Sequence, residues 1–416
     1  MLNNFRHKIY NLLRWSEKYF KTDMVYLATG GFWLGLGQII ATFFALLLTI
    51  AFANLLPKET YGIYKYVLSA AGILGIFTLS GMNSAVTQAV ARGFEGSLKK
   101  SFWVQMKWGL LMTAVAFFIG VYYFIHQNFI LGFCFLILGV FSPLLNSANT
   151  YSAFLNGKKD FKSITKYNFL ILFFSSSIIL LTLFFTKSAP SLVWAYFVSN
   201  TAITVWFYFK TIKIFKPNEA NDPETISYGK HLSLMNVASS AAFFLDNLLI
   251  FHFLDATSVA IYSLACAPPE QIKGLFKIFS SLAFPKFSER KSGEIKKGMD
   301  RKVILSLLTI SIVVIVYILF TPLIYKIFFP KYMNSVFYSQ IYAISIIAMA
   351  YLFPYAALQS QSAKKELYYF NVATSILQIG LLVVMIYYFG IMGAVLSRLV
   401  SRFAILFYSM WLAKRM

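Results

Sequence analysis

The sequence predicts an all-α integral membrane protein of about twelve transmembrane helices in two six-helix lobes, related by a pseudo-two-fold axis along the membrane normal. Three observations carry this. Hydrophobic residues make up 59% of the 416 and charged residues only 12%, whereas a water-soluble domain is about a quarter charged. About twelve apolar runs follow one another, most near the ~20 residues that a helix needs to cross a bilayer. Lysine and arginine crowd every second gap between these runs. The dense gaps hold Lys99-Lys100, Lys158-Lys159-Lys162, Lys210-Lys213-Lys216, Arg290-Lys291 with Lys296-Lys297, Lys364-Lys365 and Lys414-Arg415. The intervening gaps hold Lys58, Lys187 and Lys331 and little more. Basic loops resist translocation, so the dense gaps are expected in the cytoplasm.

In chain order, residues 1–24 mix Arg6, Lys8, Arg14, Lys18 and Lys21 with Phe5, Ile9, Leu12, Leu13, Trp15 and Phe20. This reads as a basic amphipathic segment lying on the inner membrane surface. It does not read as a cleavable signal, because the first apolar run is too long and has no clear cleavage site. The expected spans of the N-lobe (25–210) are 25–53, 62–90, 102–125, 129–155, 167–186 and 190–210. Residues 211–230 contain Pro217, Asn218, Asn221, Asp222 and Pro223, the composition of a loop. They are too few for a soluble domain, so function is expected in or at the membrane. The C-lobe (231–416) contributes 231–254, 258–285, 303–328, 337–361, 368–389 and 391–413, then a short basic tail. An even number of spans with a cytoplasmic start places both ends inside.

The halves echo each other. "YGIY" at Tyr61–Tyr64 returns as "VAIY" at Val259–Tyr262, opening the second span of each half. "GKKDF" at Gly157–Phe161 returns as "AKKEL" at Ala363–Leu367, after the fourth. Six spans return the chain to the same side, so the repeats are parallel and are expected to enclose a central site and rock about it.

Several function classes fall away. A net charge of +22 would suggest nucleic acid in a soluble protein. Here the orientation rule and anionic headgroups account for it, and no nucleic-acid motif accompanies the charge. Cys134 and Cys266 each sit inside an apolar run, as small core residues rather than a disulfide framework. His7, His126, His231 and His252 are scattered without metal-ligand spacing. There is no phosphate-binding glycine loop, Walker motif or paired acidic loop. The chain therefore reads as a non-enzyme without a metal site, driven by an ion gradient or by the substrate's own gradient.

Charges inside the spans are the chemical signal. Of 15 acidic residues, Asp246 in the seventh span and Glu270 in the eighth lie well inside. Lys273, Lys277, Arg398 and Arg402 are the matching cations, and Lys65 and Lys107 lie within a turn or two of span ends, where they can snorkel. A charge in hydrocarbon costs at least about 2.5 kcal/mol even on the lenient insertion scale. These residues are therefore expected to face a wet cavity or one another. Glu270, Lys273 and Lys277 share one helix face by their spacing, as do Arg398 and Arg402. At ~1.5 Å rise per residue, Glu270, Lys273 and Arg402 fall near the midplane, Lys277 in the inner half and Arg398 nearer the outside. Pro268-Pro269 is expected to break the eighth helix just before this face. Two readings stand open for the cations: an internal ion pair that holds the bundle, or a lining for an anionic substrate. Asp246 reads as a protonatable carboxylate, as part of a Na⁺ site, or as a neutral acid bonded to a neighbouring helix. Uncharged polar residues add Asn83 and Gln88, then Asn146, Asn149 and Asn156, then Asn371, Thr374 and Gln378. Most suit helix packing, and a few suit sugar contacts, as Trp33 does by stacking.

Residues 53–93 carry a Pro-acidic turn (Pro57, Glu59), then Tyr61-Gly62 and Tyr64, an apolar run, Gly81, Asn83–Ala85 and a closing Arg92-Gly93. Asp246–Ile250, Ile261–Ala265, Phe284–Lys286 and Phe389–Ser397 follow in the second half. In order and spacing these resemble the polysaccharide-flippase branch of the multidrug/oligosaccharidyl-lipid/polysaccharide exporter superfamily, over nearly the whole chain. The resemblance implies two six-helix lobes around a cationic cavity lined mainly by the first, second, seventh and eighth spans. It implies a bacterial inner-membrane flippase that carries undecaprenyl-diphosphate-linked oligosaccharide repeat units to the outer leaflet, for cell-surface polysaccharide of the O-antigen or capsule type. Its implied partners are that glycan, membrane lipids, and a polymerase and glycosyltransferases of the same pathway. On this reading Lys273, Lys277, Arg402, Arg398 and Lys65 bind the diphosphate. Asp246, Glu270, Asn371 and Thr374 couple to Na⁺ or H⁺. A related peptidoglycan-precursor flippase has a Na⁺ site with an Asp on the seventh span and Asn/Asp on the eleventh. Asp246 and Asn371 are similar in placement, but the eleventh span here has no acid. The alternative within the superfamily is an ion-coupled antiporter of cationic drugs, whose cavity should carry excess acid. A membrane-embedded glycosyltransferase would need an acidic pair or a large outer loop, which the sequence lacks.

Overall fold

A computed structural model describes residues 24–288, 292–360 and 364–415, with side chains described over 30–274, 299–359 and 366–415. The amphipathic segment expected in residues 1–24 therefore falls almost wholly outside the described residues. Every regular element among the described residues is a helix. Nine of these helices are long and apolar enough to cross a membrane, and a bent pair makes a tenth crossing. The helix Lys364–Arg415 runs 52 residues but breaks at Gly390 (φ 56°), which gives it two crossings. Ala256–Ser288, 33 residues long, carries the charged face and packs among the others. The count so reaches the twelve that the hydropathy pattern predicts. Aromatic and aliphatic side chains such as Phe118, Phe184, Phe185 and Leu319 stand on the outside. A bilayer is the solvent that tolerates such a surface.

The first span is Met24–Leu55, and the third to sixth are Ser97–Ile125, Phe129–Gly157, Phe161–Phe185 and Ala189–Phe215. The seventh is Thr225–Phe253, the ninth Ser292–Phe328, and the tenth runs from Ser335 to Ser360 through a short 3-10 turn at Ala348–Tyr351. The central loop is shorter than its composition suggests, since helices occupy 211–215 and 225–230. What remains is strapped to the loop after the second span. Gly96 N–H donates to Ala220 O at 2.9 Å, and Asn218 Nδ2 donates to Gly93 O at 3.0 Å.

The second span departs from a single helix. Lys58–Leu74 passes into a 3-10 turn at Gly75–Thr78, and Leu79 takes a left-handed conformation (φ 56°) before Met82–Ala91 resumes with a bend of 53°. A 3-10 stretch in mid-span often marks a hinge or strain. The carbonyl of Leu79 accepts from Met82 N–H at 2.9 Å and from Gln105 Nε2 at 3.1 Å.

Helices of each half pack chiefly on one another, and the halves meet where the first and second spans touch the seventh and eighth. One end of this seam is dry and tight. Phe52 of the first span and Leu56 just after it, Tyr61 and Tyr64 of the second, Leu264 of the eighth, and Tyr325, Phe329 and Tyr332 belong to one buried cluster. A Cβ built on Gly62 would lie 1.7 Å from the Ala256 carbonyl oxygen, so only glycine fits that crossing. Asn54 Nδ2 donates to Phe328 O at 2.8 Å, and the Lys331 ammonium donates to the Asn54 carbonyl. Lys58 lies 5.2 Å from the Tyr332 ring centroid. Burial pushes the Tyr332 hydroxyl up to about 12. The ring is therefore neutral, and Lys58 meets it as a cation on a π face. This is the lysine-poor end of the bundle, and the dense basic loops lie at the other.

Candidate functional site

Below the sealed end the halves part around a cavity of about 680 Å³. Its walls come from the first, second, seventh and eighth spans, as the family resemblance implies, with Gln378 of the eleventh, and also from the tenth and twelfth. Those two supply Tyr342, Met349, Tyr351, Arg398 and Arg402. Four cations (Lys65, Lys273, Arg398 and Arg402) and two carboxylates (Asp246 and Glu270) line it. Charges of both signs thus gather in one place, as their cost in hydrocarbon requires.

They form two layers. In the first, Arg398 holds Asp246 by a two-point clamp, Nε to Oδ2 at 2.7 Å and a terminal nitrogen to Oδ1 at 2.6 Å. Tyr262 O–H donates to the same carboxylate. The remaining reach of Arg398 goes to the carbonyls of Ala242 at 2.8 Å and Phe243 at 3.2 Å. Asp246 is 6% exposed and Arg398 8%. A sodium ion at Asp246 would have to displace this guanidinium.

In the second layer, Glu270 collects three donors. Lys273 Nζ reaches Oε2 at 2.7 Å, and Tyr342 O–H reaches Oε1 at 2.7 Å. Arg402 also donates to Oε1. Arg402 is braced by Ser345 Oγ at 2.8 Å and by the Tyr342 hydroxyl at 2.9 Å. Glu270 is the more accessible of the two carboxylates, with its side chain 29% exposed against 9% for Asp246. An anion entering the cavity therefore meets the Glu270 layer as a set of donors already assembled.

Lys65 comes from the other half. It does not snorkel to a span end; it lines the cavity with Nζ 5.5 Å from the Tyr61 ring centroid. No carboxylate pairs with it among the described residues. Lys277 lies on the eighth helix, but its side chain is outside the described residues.

The structure does not bring Asn371 and Thr374 to the carboxylates. Thr374 Oγ1 donates to Phe370 O at 2.7 Å in its own helix, and neither residue lines the cavity. The eleventh span reaches the cavity through Gln378 instead. Trp33 lies against the fifth span, its ring centroid 5.9 Å from Lys162 Nζ and its backbone carbonyl accepting from Thr165 Oγ1 at 2.8 Å. Cys266 packs against the apolar core and also lines the cavity, while Cys134 is fully buried. The eighth helix continues through Pro268-Pro269 instead of breaking there. Pro268 has no N–H for the Leu264 carbonyl four residues back, and Tyr325 O–H supplies the missing donor at 3.0 Å. Tyr262, Tyr342 and Ser345 were not legible as site residues. They sit in apolar runs and gain their role only from what lies across the bundle. Among the described residues no group of three or more His, Cys, Asp or Glu is placed to hold a metal.

Comparisons with known proteins agree with this architecture. Residues 27–291 match the family model described as polysaccharide biosynthesis protein. A candidate O-antigen transporter of Shigella flexneri is 24% identical over 400 residues, covering 88% of this chain and 92% of its own length. The fold is similar to that of the lipid II flippase MurJ in its inward closed conformation. That match has a TM-score of 0.72 and 14% identity, over 91% of this chain and 86% of that one. It is also similar to a multidrug-resistance MATE transporter in its inward-facing conformation, with a TM-score of 0.68 and 12% identity over 91% and 94%. These likenesses establish a membrane transporter fold. Since the family model covers well over half of the sequence, the chain belongs to the polysaccharide biosynthesis protein family.

Proposed function

We propose that this protein is a flippase that moves undecaprenyl-diphosphate-linked oligosaccharide repeat units from the cytoplasmic to the outer leaflet by alternating access, for cell-surface polysaccharide synthesis. The observation that carries the reading is the charge balance of the cavity, where four cations face two carboxylates. A diphosphate answers that excess, and an organic cation would be repelled by it, which ranks the drug-antiporter reading second. The MurJ-like fold and the relation to a candidate O-antigen transporter support the same choice.

Lys273, Arg402 and Lys65 hold the diphosphate, with Lys277 below them on the same helix. Arg398 stands behind, committed to Asp246. The lipid tail stays in the bilayer at a gap between the lobes. The protein does no bond-making chemistry, and it sits in the inner membrane with both termini cytoplasmic, as the basic loops direct. It works beside the glycosyltransferases and polymerase of its pathway. Coupling follows from the second layer. When the diphosphate takes Lys273 and Arg402, Glu270 is left buried without its cations and needs H⁺ or Na⁺ in their place.

The test is transport of a fluorescent or radiolabelled lipid-linked oligosaccharide in liposomes, wild type against Lys65→Ala and Lys273→Ala. Each lost charge-assisted bond is worth about 1.5–3 kcal/mol, so each variant should transport at least about tenfold more slowly while remaining inserted. Wild-type rates in the double variant, or efflux of an organic cation instead, would overturn the proposal.

A further inference from the structure

A second, neutral pocket of about 260 Å³ lies where the second span breaks. Most of its polar wall belongs to the first half of the chain: Thr78, Ser80 and Asn83 from the second span, Gln105 from the third, Asn146 and Asn149 from the fourth, joined by Ser240 of the seventh. No charged side chain lines it among the described residues. The central cavity draws Lys273, Arg398, Arg402 and both carboxylates from the second half. All four carboxamides of this pocket thus come from the first half, while five of the six charged groups of the central cavity come from the second.

The amides here are not packing residues with all their bonds made. Gln105 is 1% exposed. Its Nε2 braces the Leu79 carbonyl at 3.1 Å, while its Oε1 has no donor. The Oδ1 of Asn83 likewise has none. An apolar occupant would leave these buried acceptors unpaired. A phosphate would find no cation. A bare cation would use the oxygens but clash with the amide N–H₂ groups of the same side chains. A partner whose every polar atom both donates and accepts satisfies the set, and a ring of hydroxyls is such a partner. Phe244 lines both this pocket and the charged cavity, so it offers an apolar face on the boundary between them. Gly72 makes room for that ring, since a Cβ there would come within 2.6 Å of its atoms.

We infer that the neutral pocket is a glycan subsite, which takes the sugar ring directly joined to the diphosphate while the phosphates rest on the cations of the central cavity. The inference deepens the flippase reading and rests on it. The adjacency across Phe244 sets the assignment, because a ring one bond from the phosphates is the part of the substrate that reaches the neighbouring pocket. Affinity for the carrier then comes from the charged cavity, and discrimination between sugars from the neutral pocket. A substrate held by both halves also couples them mechanically, and its first sugar sits against the broken segment of the second span.

Full-length protein in lipid nanodiscs is titrated with two probes, bare polyprenyl diphosphate and polyprenyl diphosphate carrying one N-acetylhexosamine. Wild type is expected to bind the glycosylated probe about tenfold more tightly or better, the yield of one or two well-made hydrogen bonds. Asn83→Leu and Asn146→Ala should remove that preference and leave binding of the bare lipid unchanged. Lys273→Ala should weaken both probes alike. A wild type without preference overturns the subsite and leaves the flippase reading standing. So do variants that keep the preference, or that weaken both probes equally. A wild type that binds neither probe sinks the flippase reading, and the subsite with it.

Discussion

Removing the guanidinium of Arg398 while keeping its bulk, as in Arg398→Met, separates a structural clamp from a substrate grip. Arg398 is 8% exposed and Asp246 6%. Their two bonds, at 2.7 and 2.6 Å, account for both oxygens of the carboxylate, with Tyr262 as the other donor among the described residues. Breaking a buried pair by removing one partner costs about 3–5 kcal/mol, because the survivor stays buried and uncompensated. The bonds to the Ala242 and Phe243 carbonyls add little, since these oxygens also lie within a helix. Replacing both partners by apolar residues of similar volume is near neutral or stabilising. Arg398→Met should therefore destabilise by about 3–5 kcal/mol, and Arg398→Met with Asp246→Leu should return to within about 1 kcal/mol of wild type. Equilibrium unfolding in mixed detergent micelles measures both. The double variant should also keep transport if Arg398 is committed to Asp246. The reasoning fails if the single variant lies within about 0.5 kcal/mol of wild type. It fails equally if the double variant is no more stable than the single one.

Three further outcomes are expected. A small thiol reagent should modify Cys266, which lines the cavity, and leave buried Cys134 intact; polyprenyl diphosphate should protect Cys266, and modification of Cys134 first, read by mass spectrometry, would contradict the packing. Gly62→Ala puts a Cβ 1.7 Å from the Ala256 carbonyl, so the eighth helix must move; the overpacking should cost about 1–3 kcal/mol or more, and unchanged thermal stability would show that the seal is not tight there. Lys331→Ala removes the ammonium from the Asn54 carbonyl and should speed labelling of Cys266 by a membrane-impermeant reagent added at the lysine-poor face, whereas an unchanged rate would show that this contact does not hold the end shut.

The site was partly legible in the sequence. Asp246, Glu270, Lys273, Arg398 and Arg402 stand out because charges are expensive in hydrocarbon, and one cavity holds them all. Their partners were not legible. Spacing places Glu270 and Lys273 on one face, and they do bond at 2.7 Å. No spacing reports that Arg402, 132 residues away, shares the same carboxylate. The apolar neighbours mislead in the other direction: Tyr262 and Tyr342 look like core residues until the carboxylates that they serve appear opposite. Pro268-Pro269 reads as a break and is not one, because Tyr325 from the ninth span satisfies a carbonyl left open. The true break, at Gly75–Gly81, has no proline, and its left-handed residue is a leucine held by Gln105. Asn83, Asn146 and Asn149 read separately as packing residues, and only the bend gathers them around one pocket.

By itself the sequence determined class, spans and the sidedness expected of the loops, because water and hydrocarbon sort residues one at a time along a chain. It also marked which charges had to be hidden. The tertiary structure alone decided who neutralises whom, since a hydrogen-bonded ion pair forms only within about 3–4 Å and depends on neighbours that lie more than a hundred residues apart.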